Sequence, residues 1–458
     1  MKSKNFVFLI VFCGAGSKLL QSQLGNSKET MTIPAYPLLY LYPHYLEWKK
    51  KYRKLSVSLS YKLISKYHAS IFDSRRLKGF GGLDTLGNKK NEYLFISKSK
   101  FKKNYFSYLK KKTVNYVNIV KSIHFAYQKC INNNGHKILF HSHDIEWFQK
   151  GIRNDFTDSK IIFTTRHPLT NFWRRIHADI QIENERFNYT DQEYLKNYHY
   201  INRIKNFYIS FACLGNNLNK KNSIFVRFED IKNNNKKILK NLCKFIGVRF
   251  NYKELFTPKF RNKIWWGSKI YKGYDKSKYF IKSSFEDKSD FKNFFYYELL
   301  LLEILLYPYI KVFNYKFYTI AKNPKLHFLI FLIIFFPTKN GIKIFFQRLK
   351  LSRLMLYIKN IFYELKNKNL KNYYENAMYK HKWTYREHNF FNNNLIRKKI
   401  FYSKNKKSFQ FLKTFYFIYR FLRYFYYEFE LIYLYFYRIY FFLKCFFTIK
   451  NKVKFIRK

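Results

Sequence analysis

The chain has 458 residues and a formal net charge of +60, from 88 Lys and Arg against 28 Asp and Glu. Its 47% hydrophobic residues are enough for a sizeable core, so the composition excludes wholesale disorder and allows two or three domains of roughly 150 residues. Tyr and Phe are abundant and Gly is scarce along the whole chain, which indicates a general compositional bias. The lysines are scattered rather than gathered in one stripe. An anionic membrane or an anionic substrate is therefore favoured over nucleic acid as the partner.

The N-terminal residues 6–12 form an apolar run that we interpret as a buried strand. A turn of small residues follows, and then a helix predicted to begin at Leu19. Lys2 and Lys4 in front of the same run also fit a short signal peptide, which remains an alternative. The second apolar run, 326–336, has about half of the roughly 20 residues that a spanning helix needs, so no transmembrane helix is predicted.

Short apolar runs and longer helical stretches alternate up to about residue 310, the order typical of an α/β domain with a mainly parallel sheet flanked by helices. Strands are predicted at 6–12, 138–141, 161–164 and 224–228. A helix with apolar residues from Ile238 to Ile246 is expected to stop at Gly247.

The domain organisation follows from changes of composition along the chain. Residues 1–324 are predicted to form the α/β domain, with 50–135 as a basic helical insertion of unknown role. Residues 325–458 are predicted to be a basic, aromatic-rich helical extension. Within it, 409–449 would form a helix that lies in a membrane interface, and a helical subdomain packed on the core is an equal alternative.

The five cysteines are Cys13, Cys130, Cys213, Cys243 and Cys445. Their odd number and the lack of a Cys-x-x-Cys pair argue against a disulfide framework and a zinc ribbon. A reducing compartment fits best. We therefore expect a cytoplasmic protein that associates peripherally with a membrane.

The first candidate site is the turn at 13–18, Cys-Gly-Ala-Gly-Ser-Lys, between the first strand and its helix. Such a turn presents backbone N–H groups and the positive end of a helix dipole to an anion, and Lys18 adds a charge. The pattern is weak alone, because an ordinary strand-to-helix turn has the same residues. The chain has neither a Gly-Lys-Ser/Thr motif nor a convincing acidic magnesium site, which disfavours a P-loop kinase.

The second candidate site is Arg166, at the carboxyl end of the predicted strand 161–164. Ligands of open α/β sheets bind at this edge, and the guanidinium fork suits phosphate. Pro168 is expected to open the next helix. Arg174 lies about two helical turns farther on and would face the same ligand.

These residues resemble those of the sulfotransferases that use 3′-phosphoadenylyl sulfate. Residues 16–24 (Gly-Ser-Lys-Leu-Leu-Gln-Ser-Gln-Leu) are similar to one form of the phosphosulfate loop. Residues 225–231 (Phe-Val-Arg-Phe-Glu-Asp-Ile), with the helix ending Phe-Ile-Gly-Val at 245–248, resemble the family's strand and Glu-Asp-Leu helix. Residues 257–267 (Thr-Pro-Lys-Phe-Arg-Asn-Lys-Ile-Trp-Trp-Gly) resemble an element of some bacterial members. The motifs occur in the family's order over residues 1 to about 275, with 50–135 unmatched.

The resemblance implies a P-loop-like α/β fold and sulfuryl transfer from 3′-phosphoadenylyl sulfate to a hydroxyl or amine acceptor, without a metal. An envelope saccharide or lipid as the acceptor follows only from the predicted membrane-interface helix of the extension. The 5′-phosphosulfate would be held by the loop residues Gly14, Ala15, Gly16, Ser17 and Lys18. Arg166 would hold the 3′-phosphate, helped by Arg174. His143 would be the catalytic base and Lys18 a catalytic cation.

The chain departs from the family pattern at several of these positions. Gly14 stands where the family has Arg or Lys, and Ala15 where it has Ser. Arg174 replaces a serine, and His141 replaces the lysine before the catalytic histidine. A catalytically degenerate member is therefore one alternative. A basic protein that binds membrane surfaces without catalysis is another.

Two residue pairs have competing interpretations. Alternation along a strand would place His141 and His143 on one face, and with Asp144 they would make part of a metal site. A purely structural role for the histidines is the other interpretation. Trp265 and Trp266 would either stack on a ligand ring or anchor their segment on the core.

Overall fold

The structure is a computed structural model that describes residues 5–11, 15–35, 37–38, 41–77, 82–83, 85–142, 153–171, 222–267, 296–323 and 355. The chain divides into two compact units, residues 1–334 with 442–458 and residues 335–441. The fold below belongs to the first unit. The predicted extension 325–458, Met355 apart, lies outside the described residues, and so does its interfacial helix.

Five strands form one sheet in the order β2-β3-β1-β4-β5, and every neighbouring pair is parallel. The strands are β1 (Phe6–Val11), β2 (Thr30–Thr32), β3 (Lys137–Ser142), β4 (Lys160–Thr165) and β5 (Ser223–Arg227). The four predicted strands are present within one or two residues at each end. The edge strand β2 was not predicted. The α/β fold with a mainly parallel sheet is confirmed.

Helices cover the sheet and fill the connections between strands. Their bounds are α1 (Ser17–Leu24), α2 (Leu41–Lys51), α3 (Val57–Tyr67), α4 (Lys98–Leu109), α5 (Tyr116–Cys130), α6 (Arg153–Asp155), α7 (Phe228–Asn233), α8 (Asn235–Ile246), α9 (Tyr252–Phe256), α10 (Tyr296–Leu305) and α11 (Tyr307–Val312). The predicted insertion 50–135 therefore holds α3, α4 and α5. It precedes β3, and β2 lies between it and β1.

The central strand β1 is buried on both faces, which explains its continuous apolar sequence. Val7 and Leu9 point into a core with Leu20 and other residues of α1, α8 and α9. On the other face, the ring of Phe6 lies 5.6 Å from His124 of α5 and 4.9 Å from Phe156. Because successive side chains of a strand point to opposite faces of the sheet, β1 packs against helices on both sides.

Two glycines set helix boundaries near the sheet. Gly247 ends α8 in the left-handed conformation, with φ 81°, as predicted. Gly16 also has a positive φ, 77°, and α1 begins directly after it at Ser17. The predicted start at Leu19 was therefore wrong by two residues, because the change of backbone direction occurs at Gly16 and leaves Ser17 and Lys18 inside the first turn.

The tryptophan pair anchors the hairpin formed by β6 (Lys259–Phe260) and β7 (Lys263–Ile264). Trp265 is buried in the core, with its ring 5.9 Å from that of Phe260. Trp266 donates its indole N–H to the carbonyl of Gly87 at 2.5 Å, and Nζ of Lys90 lies 4.6 Å from its ring centroid. Of the two interpretations, these contacts favour anchoring.

Within the described ranges, no helix has the length and apolar character needed to cross a bilayer.

Candidate functional site

Three neighbouring parallel strands end at the same edge of the sheet, and each is followed by a candidate residue. Ala15 to Lys18 follow β1, Arg166 follows β4, and Phe228 follows β5. Because parallel strands share their carboxyl edge, residues far apart in sequence are brought together here. The strand order thus places two of the predicted anion-binding elements side by side.

Gly16 packs directly against the ring of Phe228. A Cβ on residue 16 would lie 2.1 Å from Cδ2 of Phe228, so the site has no room for a side chain at this position. The φ of 77° independently favours glycine. The backbone at the N-terminus of α1 is therefore held close to Phe228, and its first N–H groups face the edge where an anion would bind.

Arg166 contacts the same ring as Gly16. Its guanidinium carbon lies 4.9 Å from the Phe228 ring centroid, and the side chain is largely buried. Nζ of Lys232, on α7, lies 5.9 Å from that centroid. A cation over the face of an aromatic ring is attracted by the ring's quadrupole. Phe228 therefore links the turn after β1 to two cationic side chains.

Ser17 and His141 form a buried hydrogen-bonded pair behind the turn. Nδ1 of His141 lies 3.0 Å from the carbonyl oxygen of Ala35, and Nε2 lies 2.9 Å from Oγ of Ser17. Because a carbonyl only accepts, Nδ1 carries the hydrogen and Nε2 accepts the Ser17 hydroxyl proton. Burial, and secondarily the charge of Lys18, lower the pKa of His141 to about 3. The imidazole is therefore neutral, and it fixes the direction of the Ser17 O–H.

Glu229 supplies a negative charge close to Arg166. Its Oε1 accepts a hydrogen bond of 2.8 Å from the backbone N–H of His167. Burial raises the pKa of Glu229, while the His167 N–H and the charge of Arg166 oppose that rise. The turn after β4 is thus tied to the start of α7 by a carboxylate.

A groove of about 410 Å³ lies beside α1 and α7. Apolar side chains form part of its walls, including Leu19, Tyr252 and Phe256, and Lys232 is among its cations. Among the described residues that line it, none is acidic. The full lining is Leu19, Gln23, Ile231, Lys232, Asn233, Asn234, Asn235, Lys236, Lys237, Tyr252 and Phe256.

The structure describes only part of the predicted site. Ala15, Gly16, Ser17, Lys18 and Arg166 are described, whereas Gly14, His143 and Arg174 lie outside the described residues. The metal alternative, which needs His143 and Asp144, falls outside them too. Across the described ranges, no group of three His, Cys, Asp or Glu side chains is placed to hold a metal ion.

Sequence reasoning missed three contributors to this edge. Phe228 and Glu229 belong to the segment 225–231 that resembles the family, but the sequence alone gives these two residues no role at this edge. His141 was considered a possible structural or metal-binding residue, and its contact with Ser17 was not foreseen. The available signal was its position at the carboxyl end of the predicted strand 138–141; the structure adds that this strand pairs with β1, with Leu9 opposite His141.

Comparison with known proteins identifies the family of the chain. A family model described as "Sulfotransferase family" matches residues 7–252, and no curated protein matches the chain. Similar solved structures include a sulfotransferase domain from the Synechococcus PCC 7002 olefin synthase, 16% identical with a TM-score of 0.31, covering 57% of this chain and 80% of that domain. A sulfotransferase domain from the curacin biosynthetic pathway is also 16% identical, with a TM-score of 0.33, covering 56% and 78%. The family match spans more than half of the chain. The chain therefore belongs to the sulfotransferase family.

Proposed function

We propose that this sulfotransferase-family chain uses 3′-phosphoadenylyl sulfate as the donor and transfers the sulfuryl group to a hydroxyl or amine acceptor. The observation that carries the proposal is the meeting of Gly16 and Arg166 at the ring of Phe228. This brings a helix N-terminus and a guanidinium, two groups suited to separate phosphates of one nucleotide, to the same edge.

The groove beside this edge has the character that a nucleoside needs. Leu19, Tyr252 and Phe256 offer apolar and aromatic surface for a purine, and Lys232 offers a charge for phosphate. Lys232 contacts Phe228, so the groove begins next to the anion-binding turn. We assign the adenosine moiety to this groove.

The reaction breaks the bond between sulfur and the phosphate oxygen and forms a bond between sulfur and the acceptor atom. The leaving 5′-phosphate gains negative charge, which Lys18 and the N–H groups at the start of α1 would stabilise. The acceptor loses a proton to a base, the role that the family pattern gives to His143. Because the Ser17 hydroxyl proton is directed to His141, backbone N–H groups and Lys18 would make the main contacts with the phosphosulfate.

Arg166→Ala tests the donor site. We expect the wild-type protein to bind 3′,5′-adenosine bisphosphate more tightly than adenosine 5′-phosphate, because only the former has a 3′-phosphate. Loss of a charge-assisted contact of about 1.5–3 kcal/mol should weaken bisphosphate binding about 10- to 100-fold. Binding of the 5′-phosphate should change little. Titration calorimetry with both nucleotides measures the two affinities.

The matched control is Arg249→Ala. This variant removes an exposed arginine that pairs with Glu29, the residue directly before β2, and that belongs to no part of the candidate site. It should leave both affinities unchanged. A wild-type protein that does not distinguish the two nucleotides would contradict the donor assignment. A degenerate member would bind the bisphosphate but transfer no sulfuryl group from the donor to any acceptor in a screen.

Binding to an anionic membrane is a second candidate function, favoured by the surface around α4. Exposed and buried side chains alternate in the segment before α4. Tyr93 and Phe95 are 39% and 58% exposed, whereas Leu94 and Ile96 are buried. Exposed lysines follow on α4 and just beyond it: Lys98, Lys100, Lys102, Lys103, Lys110, Lys111 and Lys112. No acidic residue occurs in the sequence between residues 93 and 143. Exposed aromatic rings beside many lysines suit an anionic lipid surface.

Sedimentation with vesicles tests this surface in the full-length protein. The double variant Tyr93→Ser, Phe95→Ser should bind phosphatidylglycerol-containing vesicles about tenfold more weakly, because it loses apolar area that enters the interface. Ile320→Ser, which changes another exposed apolar residue, is the control. Equal binding of the double variant and the wild type would exclude this surface, and so would tighter binding to nucleic acid than to vesicles.

A further inference from the structure

Residues 296–323 follow the segment matched by the family model, which ends at residue 252, and yet they contact the candidate site. They comprise α10, α11 and the turns after them. The contacts concentrate on the carboxyl ends of β4 and β5, where Arg166 and Phe228 begin the site. This segment is therefore part of the environment of the site.

Contacts to the end of β4 come from three places in the segment. The hydroxyl of Tyr309 donates to the carbonyl oxygen of Arg166 at 3.2 Å. The hydroxyl of Tyr315 lies 3.1 Å from Oγ1 of Thr165, which is fully buried. Nε2 of His167 lies 3.0 Å from the carbonyl oxygen of Lys316. Thr165, Arg166 and His167 are therefore each hydrogen-bonded to this segment.

Contacts to the end of β5 hold the start of α7. Arg227 forms a bidentate ion pair with Asp230, in which both N–O distances are 2.8 Å. The Arg227 guanidinium also donates to the carbonyl oxygen of Asn314 at 3.0 Å. The Tyr315 hydroxyl lies 3.4 Å from Oε2 of Glu229. One hydroxyl thus bridges the two strand ends.

The direction of these hydrogen bonds follows from the chemistry of the groups. An ionised carboxylate only accepts, so Tyr315 donates to Glu229 and accepts the hydroxyl proton of Thr165. The other carboxylate oxygen accepts the N–H of His167. Glu229 is therefore held from both sides, next to Arg166.

We propose that Tyr315 is a positioning residue for the 3′-phosphate site. By fixing Glu229 and Thr165, it sets the orientation of the turn that presents the Arg166 guanidinium. The inference rests on the proposed donor, since it concerns how Arg166 recognises the phosphate. It assigns a function to a segment beyond the matched part of the chain.

Tyr315→Phe removes the bridging hydroxyl and keeps the ring, which stacks on Tyr309 at 6.0 Å between centroids. We expect the preference for 3′,5′-adenosine bisphosphate over adenosine 5′-phosphate to fall about 5- to 10-fold, because the hydrogen bonds to Glu229 and Thr165 are both lost. Affinity for the 5′-phosphate should stay constant. The melting temperature of each variant, measured in parallel, reports whether the fold is intact.

The matched control is Tyr307→Phe. Tyr307 lies in the same segment, and its hydroxyl accepts a hydrogen bond of 3.3 Å from Nζ of Lys311. It should keep the wild-type preference. Thr165→Val serves as a second variant, because it removes the other partner of the Tyr315 hydroxyl and should lower the preference in the same direction.

The outcomes separate the two proposals. If the wild type prefers the bisphosphate and Tyr315→Phe retains that preference, the positioning role is wrong and the donor site stands. An equal loss for both nucleotides, or a lower melting temperature with an unchanged preference, would also exclude positioning, because it indicates a general structural role. If the wild type has no preference, the donor assignment is wrong and the inference is wrong with it.

Discussion

Gly16→Ala is expected to destabilise the fold by roughly 2–5 kcal/mol and to abolish nucleotide binding. A left-handed φ costs a non-glycine residue about 1–2 kcal/mol, and inserting an atom into a packed site costs about 1–3 kcal/mol more. The new Cβ would lie 2.1 Å from the Phe228 ring, so that ring must move and change the surroundings of Arg166. Urea unfolding measures the first effect, and nucleotide titration measures the second.

Gly247→Ala is a closely matched control. Gly247 has nearly the same backbone conformation, φ 81°, but a Cβ there would approach only the flexible end of Lys137, at 3.8 Å. This variant should lose about 1–2 kcal/mol and retain binding. The difference between the two variants isolates the overlap with Phe228. Equal losses in both would show that the close packing at Gly16 has no energetic consequence.

Acid is expected to destabilise the protein strongly between pH 7 and pH 5. Burial lowers the pKa of His68, His124 and His167 to about 4 and that of His141 to about 3. An unfolded histidine titrates near 6.5, so the unfolded chain binds more protons as the pH falls below that value, and stability falls with it. Each histidine should cost about 2 kcal/mol at pH 5, or about 8 kcal/mol for four, against a typical total stability of about 5–15 kcal/mol.

Buried carboxyls oppose part of this loss. Burial raises the pKa values of Glu229 and Glu303, so these groups become less unfavourable in the folded state as the pH falls. Unfolding free energies from urea titrations at pH 8, 7, 6 and 5 measure the net slope. His124→Phe removes one titrating group between two aromatic rings and should move the acid midpoint to lower pH. Stability that stays constant from pH 7 to pH 5 would contradict the expectation.

The strands and the helix before Gly247 could be predicted because their information is local. Four buried strands appear in the sequence as short apolar runs, and the helix has an apolar repeat and a glycine stop. β2 was missed because Thr30, Met31 and Thr32 give too short a run, although both threonines are buried. The helices between β2 and β3 were expected only in general terms, since their faces carry many lysines and tyrosines.

The site could be predicted only as a list of separate residues. Gly16 and Arg166 were placed at strand ends from local patterns, and parallel strands then imply one edge. The ring that joins them, Phe228, and the bridge from Tyr315 to Glu229 depend on side-chain contacts between distant parts of the chain. Local periodicity contains no information about such contacts.

The order of the sheet has a consequence for synthesis of the chain. β1 is made first, yet it lies in the middle of the sheet, with β3 and β4 as its neighbours. At about 5–20 residues per second, roughly 8–30 s pass between completion of β1 and completion of β4. Until residue 142 has been made, both edges of this apolar strand are open, and the edge that pairs with β4 stays open until residue 165, which favours aggregation. A nascent chain of this kind should depend on ribosome-associated chaperones until residue 165 has emerged.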